Sequence, residues 1–314
     1  MTGTVRVRAA TPADVPALVA VVHAAFASRP VLDPPSTQLL ETEESVGVVV
    51  AATGGLVAEA DGEVIGAVLL GDHGDRLGLH RVSVHPDHQG RGVVGLLARA
   101  AEDVARDRGC SGIEVGARVE LPQTVELWLH HGYALVDRAG PHLTMAKELP
   151  FALAVPEADD ARALGHRLAP LLRAGDLLIL TGDLGAGKTT FTQGLGQGLG
   201  VRGQVTSPTF ILARAHPSLG DGPGLVHVDA YRLGGVEELD DLDLDSALAT
   251  SVAVVEWGEG LAESLAEDRL EITLRRRRGD ERSGGIDDTD PREVEVRPVG
   301  ARWVGAGLRE ALSG

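Results

Sequence analysis

Short apolar runs and helical spacings alternate along the first half of the chain. Alternating or continuous apolar positions predict strands at "VRVRAA" (5–10), "RLGLHRVSVH" (76–85) and "GIEVGAR" (112–118). "LVAEADGEVIGAVLL" (56–70) predicts two strands folded back at Asp61-Gly62, because both turn positions accept a left-handed backbone. Thr11 is placed to cap a helix entered at Pro12, with Asp14 in its first turn. "VVGLLARAAEDVARDRG" (93–109) has apolar residues at helical spacing and closes on Gly109. "PQTVELWLHHG" (122–132) predicts a short helix, and "YALVDRAG" with "HLTMAKEL" a closing strand pair.

A join is expected near Leu149-Pro150, dividing the chain into 1–149 and 150–314. Beyond it, "EADDARALGHRLAPLL" (157–172) predicts a helix interrupted at Pro170, and "DLLILTG" (176–182) a buried strand. "KTTFTQGLGQGLG" (188–200) predicts the next helix in spite of glycines 194, 196 and 198. Each such glycine costs about 1 kcal/mol relative to alanine, so the helix needs support from packing or ligand. "LVHVD" (225–229) and "VAVVE" (252–256) predict buried strands, with the acidic helical "VEELDDLDLDSALA" (236–249) between them. "LEITLRR" and "REVEVRP" predict late strands on either side of a Gly/Asp-rich loop, 279–290. The pattern predicts an α/β protein of two domains without internal repeats.

Composition narrows the partners. With 314 residues and 43% hydrophobic content, each half can bury its own core. A single cysteine, Cys110, excludes an intrachain disulfide. The N-terminus lacks the apolar stretch of a secretory signal, and no apolar run nears the roughly 18 residues of a membrane span. A cytoplasmic location away from membranes is expected. The net charge of −17 argues against a sequence-independent hold on nucleic acid. The basic run Arg275–Arg278 is the exception, and reads more readily as a solvated strand end than as a contact for tRNA or an acidic partner.

"GDLGAGKTT" (182–190) fits G-x-x-x-x-G-K-[ST] between a strand and a helix. Glycines let the backbone N–H groups of Gly182, Asp183, Leu184, Gly185, Ala186 and Gly187 converge on phosphate oxygens, and the helix start at Lys188, Thr189 and Thr190 adds its dipole. The Lys188 ammonium would neutralise the outer phosphates of ATP, and the Thr189 hydroxyl would bind Mg²⁺. Lysine is scarce, with two among 29 Lys and Arg, yet one stands where a compact ammonium matters. The metal also needs a carboxylate, for which Asp229 and Glu256 at strand ends are the candidates. "VTSPTF" (205–210) is either a loop sensing the terminal phosphate or a turn before a strand.

"GDLGAGKTTF", "TSPTF", "HVDAYRL" and "VVEWGE", in this order, resemble TsaE, the ATPase family of bacterial threonylcarbamoyladenosine synthesis on tRNA. The resemblance spans roughly 151 to 305. It implies that Lys188 binds phosphates, that Thr189 and Glu256 hold Mg²⁺ and that Asp229 supports hydrolysis. Ser207, Pro208, Thr209 and Phe210 would form a nucleotide-responsive loop. The family hydrolyses ATP while bound to TsaB–TsaD, and so serves tRNA through that complex. It departs from the family at Ala161, where a base-contacting threonine is common, and in a longer segment, 279–296, which leaves either Arg282 or Arg292 to match the late arginine.

A second glycine loop lies in "VSVHPDHQGRGVVGLL" (82–97), between strand and helix and without a lysine. It is similar to the acetyl-CoA site of GNAT acetyltransferases, a resemblance covering roughly 4 to 149. It implies that Val82, Ser83 and Val84 pair with the pantetheine arm, and that Gln89, Gly90, Arg91, Gly92, Val93 and Val94 wrap the pyrophosphate. Val94 stands where glycine or alanine is common, and Trp128 where many members have a proton-donating tyrosine; Tyr133 matches a core aromatic. Transfer to an amine or protein N-terminus needs a base, with Glu59, His80 and Glu114 as candidates. His85, His88, His130 and His131 fit no metal spacing. The two resemblances imply a GNAT-like mixed sheet with helices followed by a P-loop NTPase-like α/β domain, and the expected protein is an ATPase acting with TsaB–TsaD fused to an acetyl-CoA-dependent N-acetyltransferase. The alternative is a fused GNAT-like module that only binds or docks; a small-molecule kinase ranks below both.

Overall fold

The computed structural model describes residues 4–208, 212–240, 242, 244–276 and 292–314. It divides into two compact units, Met1–Leu149 and Pro150–Gly314, each with its own sheet and cores. Among the described residues no helix is long and apolar enough to cross a membrane.

In the first unit the strands are β1 (Arg6–Ala9), β2 (Gly55–Ala60), β3 (Glu63–His73), β4 (Arg76–Val84), β5 (Gly112–Arg118), β6 (Ala134–Ala139) and β7 (His142–Glu148). They form one sheet in the order β1-β2-β3-β4-β5-β7-β6, antiparallel except for the parallel β4–β5 pair. Helices α1 (Val15–Ala27) and α2 (Glu43–Ala52) cover one face through Leu18, Val46, Val50, Ala67 and Leu69. Helices α3 (Val93–Asp107) and α4 (Pro122–His130) pack on the other through Leu97, Ala101 and Trp128. The turn at Asp61 and Gly62 is left-handed at both residues, with φ of 52° and 85°. The predicted helix at Pro12 begins as a short 3₁₀ turn, where Asp14 closes a capping box with Thr11 before α1 proper.

β4 and β5 pair only from Arg76–Gly112 to Leu79–Val115. Beyond that the strands part. The pairing of β3 with β4 is bulged between Ala67 and Leu69. Arg81 takes a left-handed φ of 55°, a conformation uncommon outside glycine, with its guanidinium held by Glu41 at 2.6 Å. The strand is thereby bent away from β5, and a cavity of about 1340 Å³ occupies the split.

The second unit contains β8 (Phe151–Val155), α5 (Ala158–Leu168), β9 (Leu177–Thr181), α6 (Lys188–Leu199), β10 (Ala213–His216), β11 (Gly224–Asp229), α7 (Val236–Asp240), α8 (Leu244–Leu248), β12 (Ser251–Glu256), β13 (Arg269–Arg276), β14 (Arg292–Val299) and α9 (Leu308–Ser313). The sheet order is β10-β11-β12-β9-β13-β14-β8. β11, β12, β9 and β13 run parallel, and the remaining pairings are antiparallel. The parallel strands read as continuous apolar runs because both faces are covered. The acidic stretch after β11 forms the two short helices α7 and α8 rather than one, and α5 continues past Leu168 as a 3₁₀ turn through Pro170.

The glycines of α6 are explained by its crossing with α5. A Cβ on Gly194 would sit 1.8 Å from the Arg162 carbonyl oxygen, and one on Gly165 would sit 2.2 Å from that of Phe191. The helices approach backbone to backbone, and packing offsets the poor helix propensity. Gly194→Ala is therefore expected to destabilise the second unit by about 1–3 kcal/mol in urea unfolding, despite alanine's better propensity. Gly47→Ala in α2, where nothing lies within 4 Å, should gain up to about 1 kcal/mol.

Candidate functional sites

The phosphate loop leaves the carboxyl end of β9 at Thr181 and enters α6 at Lys188. Gly182, Gly185 and Gly187 all have positive φ, of 144°, 77° and 109°. Ala186 is buried, whereas Leu184 stands out at the tip, 87% exposed. Asp183 and Thr190 complete the loop, the carbonyls of Gly182 and Asp183 accepting bonds from Lys188 Nζ at 2.7 and 3.1 Å. Lys188 is 5% exposed and lies 3.9 Å from the centroid of the Trp257 ring. Burial lowers the pKa of its ammonium, with Glu256, Asp229 and Asp183 acting in the opposite sense. Trp257 is turned over the loop by a left-handed backbone, φ 61°, directly after β12.

Parallel register places Asp229 and Glu256 side by side at the carboxyl ends of β11 and β12. The Thr189 hydroxyl donates to Glu256 Oε1 at 2.9 Å. His227, fully buried on β11, lies with Nε2 2.8 Å from the same oxygen, and its Nδ1 has no partner. This histidine was absent from the candidates read in the sequence. Its signal was a polar residue at a buried position of "LVHVD", two before an acidic strand end. Asp229 accepts from the Tyr231 N–H at 3.1 Å.

Two arginines flank the loop from the cross-strand pair Arg276 and Arg292. Arg276 donates to the Gly185 carbonyl at 2.8 Å. Arg292 Nη1 lies 3.4 Å from the point a Cβ on Gly187 would occupy, and its buried Nε has no partner. Ala161 is fully buried, 4.0 Å from that same point. A glycine-walled loop with an orphaned guanidinium N–H and a sequestered ammonium fits a polyphosphate. A hydroxyl beside a carboxylate is the oxygen donor set that suits Mg²⁺. Of the late arginines, Arg292 lies at the loop and Arg282 is outside the described residues. So are Thr209 and Phe210; Ser207 is exposed and Pro208 buried. The carbonyl of nearby Val205 accepts from Gln193 of α6 at 3.2 Å. In the basic run, Arg275 pairs with Glu295 at 3.2 Å, and Arg277 and Arg278 lie outside the described residues.

The family model "Threonylcarbamoyl adenosine biosynthesis protein TsaE" matches residues 155–283. A relative from Streptomyces coelicolor, named tRNA threonylcarbamoyladenosine biosynthesis protein TsaE, is 62% identical over 146 residues, 46% of this chain and 95% of its own. The chain belongs to the TsaE family. A TsaE from Bacillus subtilis is 40% identical over 159 residues, 50% of this chain and 90% of its own. The solved structure of Bacillus subtilis YdiB is 32% identical, with a TM-score of 0.39, covering 52% of this chain and 93% of its own. Ahead of the TsaE domain, the family model "Acetyltransferase (GNAT) family" matches residues 20–133. Thermoplasma acidophilum PaiA N-acetyltransferase, solved with coenzyme A, is 17% identical with a TM-score of 0.42, covering 46% of this chain and 99% of its own.

In the GNAT domain the cavity in the split is lined by Val82 and Val84 of β4 and by Gln89, Gly90, Gly92, Val93 and Val94. Ser83 and Arg91 are not in its wall; Ser83 is buried and donates to the Arg81 carbonyl at 2.8 Å. Past Leu79 the β5-facing edge of β4 has no ladder partner, so its backbone groups are free to pair with an extended amide arm. Val94 lines the cavity wall itself. The close approach falls one residue later, where a Cβ on Gly95 would meet His131 Cε1 at 2.8 Å. Trp128 lines the cavity, whereas Tyr133 packs edge-on against it at 4.8 Å outside the wall. Burial pushes the Tyr133 phenol well above its usual range, and its hydroxyl is unpartnered.

The three candidate bases separate. Glu59 is bound to Arg8, and Glu114 lies 3.1 Å from His73 Nδ1; neither lines the cavity. His80 does, and burial together with His73 and Arg81 lowers its pKa against the opposing pull of Glu114, which favours its neutral form. Among the described residues no cluster of His, Cys, Asp or Glu could hold a metal by itself. His227→Ala, by freeing the Glu256 carboxylate, is expected to weaken Mg²⁺ dependence of nucleotide binding by about 10–100-fold in metal titrations. His227→Gln, which keeps a donor, should recover much of it.

Proposed function

We propose that the TsaE domain hydrolyses ATP in threonylcarbamoyladenosine formation on tRNA, working with TsaB–TsaD. The observation that carries this is the Thr189–Glu256 hydrogen bond beside the Lys188 loop. Lys188 would leave its two loop carbonyls for the phosphates, and Arg276 and Arg292 would flank them. Thr189 and Glu256 would hold Mg²⁺, which supplies charge neutralisation at the phosphates. Glu256 is oriented by His227, and Asp229 beside it would orient the attacking water. Trp257 shields the ammonium from solvent. The S. coelicolor relative's name supports the pathway, and the resemblance to TsaE supports the partners.

The GNAT domain, in the same proposal, is an acetyl-CoA-dependent N-acetyltransferase. Acetyl-CoA when bound would supply the acetyl group, its sulfur leaving as a thiolate that takes its proton from solvent. The open edge of β4 would hold the amide arm, and the backbone from Gln89 to Val94 at the start of α3 would hold the pyrophosphate. His80 would take the proton from the amine as its nitrogen forms the new C–N bond and the C–S bond breaks.

Lys188→Ala is expected to abolish ATP hydrolysis with TsaB–TsaD present. In a strain whose sole copy carries the change, mass spectrometry of tRNA nucleosides should show threonylcarbamoyladenosine lost. Normal levels of that nucleoside would contradict the assignment.

A further inference from the structure

The cavity in the GNAT domain has two ends, and the sheet separates them. Gln89–Val94 lie where α3 begins, on the face covered by α3 and α4. Phe26 and Arg29 lie at the end of α1, which covers the opposite face. The split between β4 and β5 joins the two. A cofactor whose pyrophosphate sits at α3 therefore presents its reactive end toward the α1 side, where the amine must enter.

Arg29 is the unusual group at that end. Its guanidinium lies over the Phe26 ring, 3.9 Å from the centroid. It has no carboxylate partner among the described residues. The other arginines lining this end are matched: Arg81 with Glu41 at 2.6 Å, and Arg118 with Glu120 at 2.7 Å and with the Asp33 and Pro34 carbonyls. Burial acts on Arg29 in the direction that disfavours its charge. The final carbonyls of α1 offer it a fraction of a negative charge, not a counter-ion. A partly desolvated guanidinium without an acid is costly unless an anion arrives, and its planar fork suits a carboxylate.

We infer that Arg29 anchors an anionic group of the acetyl acceptor, which makes the acceptor an amine that carries a carboxylate. This rests on the acetyltransferase reading above. His80 lines the same cavity and would receive the proton, while Arg29 positions the acceptor through its acid.

The test uses the full chain and matched acceptors: free L-amino acids against their amides, and hexapeptides with Asp or Asn in second place. Acidic members are expected to show at least roughly tenfold higher kcat/KM, the size of one charge-assisted contact. Arg29→Gln should erase that preference by raising the acceptor KM, and Arg29→Lys should keep part of it. The KM for acetyl-CoA should not move, and unchanged acetyl-CoA affinity in calorimetry shows that the variants are folded. A rise in KM for acetyl-CoA instead would assign Arg29 to the cofactor's phosphates and overturn the anchor. Equal use of acidic and neutral acceptors, or acetyl-CoA binding without turnover of any acidic amine, would overturn it too. Failure of the wild type to bind acetyl-CoA would overturn the acetyltransferase reading itself.

Discussion

Glu256 is 3% exposed, and the ATPase half is built around the donors that reach it. A buried carboxylate is tolerated only with donors aimed at it. Two converge on Oε1, the Thr189 hydroxyl from the first turn of α6 and His227 from the neighbouring strand. Each comes from a different element, so the contact locks α6, β11 and β12 into one geometry. Lys188, one residue from Thr189, is sequestered in the same volume against Trp257. Substrate phosphates would replace loop carbonyls as the partners of that ammonium. The resting site is thus pre-organised, with Lys188 and Glu256 already buried and each hydrogen-bonded to its own neighbours.

The same backbone logic appears twice in the chain with different results. Parallel strands end together and leave polar groups pointing past the sheet, which is where α/β proteins collect ligands. In the TsaE domain, β9, β11 and β12 end side by side and deliver a loop and two carboxylates to one edge. In the GNAT domain the single parallel pair, β4 with β5, comes apart after four residue pairs. The bulge in β3–β4 and the left-handed Arg81 provide that bend, and the Glu41 contact holds it. One half makes a site by ending strands in register, and the other by splitting two of them.

The strongly patterned elements were legible in the sequence: the hairpin at Asp61-Gly62, α3, the phosphate loop and the buried parallel strands. What escaped had competing local signals. α2 contains "VGVVVAA", whose β-branched residues read against a helix; Thr42 capping and burial of Val46 and Val50 override them. β8 and β10 are short antiparallel edge strands of five and four residues, too brief for periodicity to show. The α6 glycines looked like a weakness and are the means by which α5 comes close. Asp229 and Glu256 were legible as strand-end acids. His227 was not, because a lone histidine in a strand acquires its meaning only from the residue on the strand beside it.

The most direct test of the central claim is Mg²⁺-dependent ATP hydrolysis by Glu256→Gln with TsaB–TsaD present. The glutamine keeps the size of the side chain and can still accept from Thr189 and His227, but it removes the charge. Hydrolysis is expected to fall by about a hundredfold or more, with nucleotide affinity in the absence of Mg²⁺ nearly unchanged. Hydrolysis close to the wild-type rate would contradict that claim.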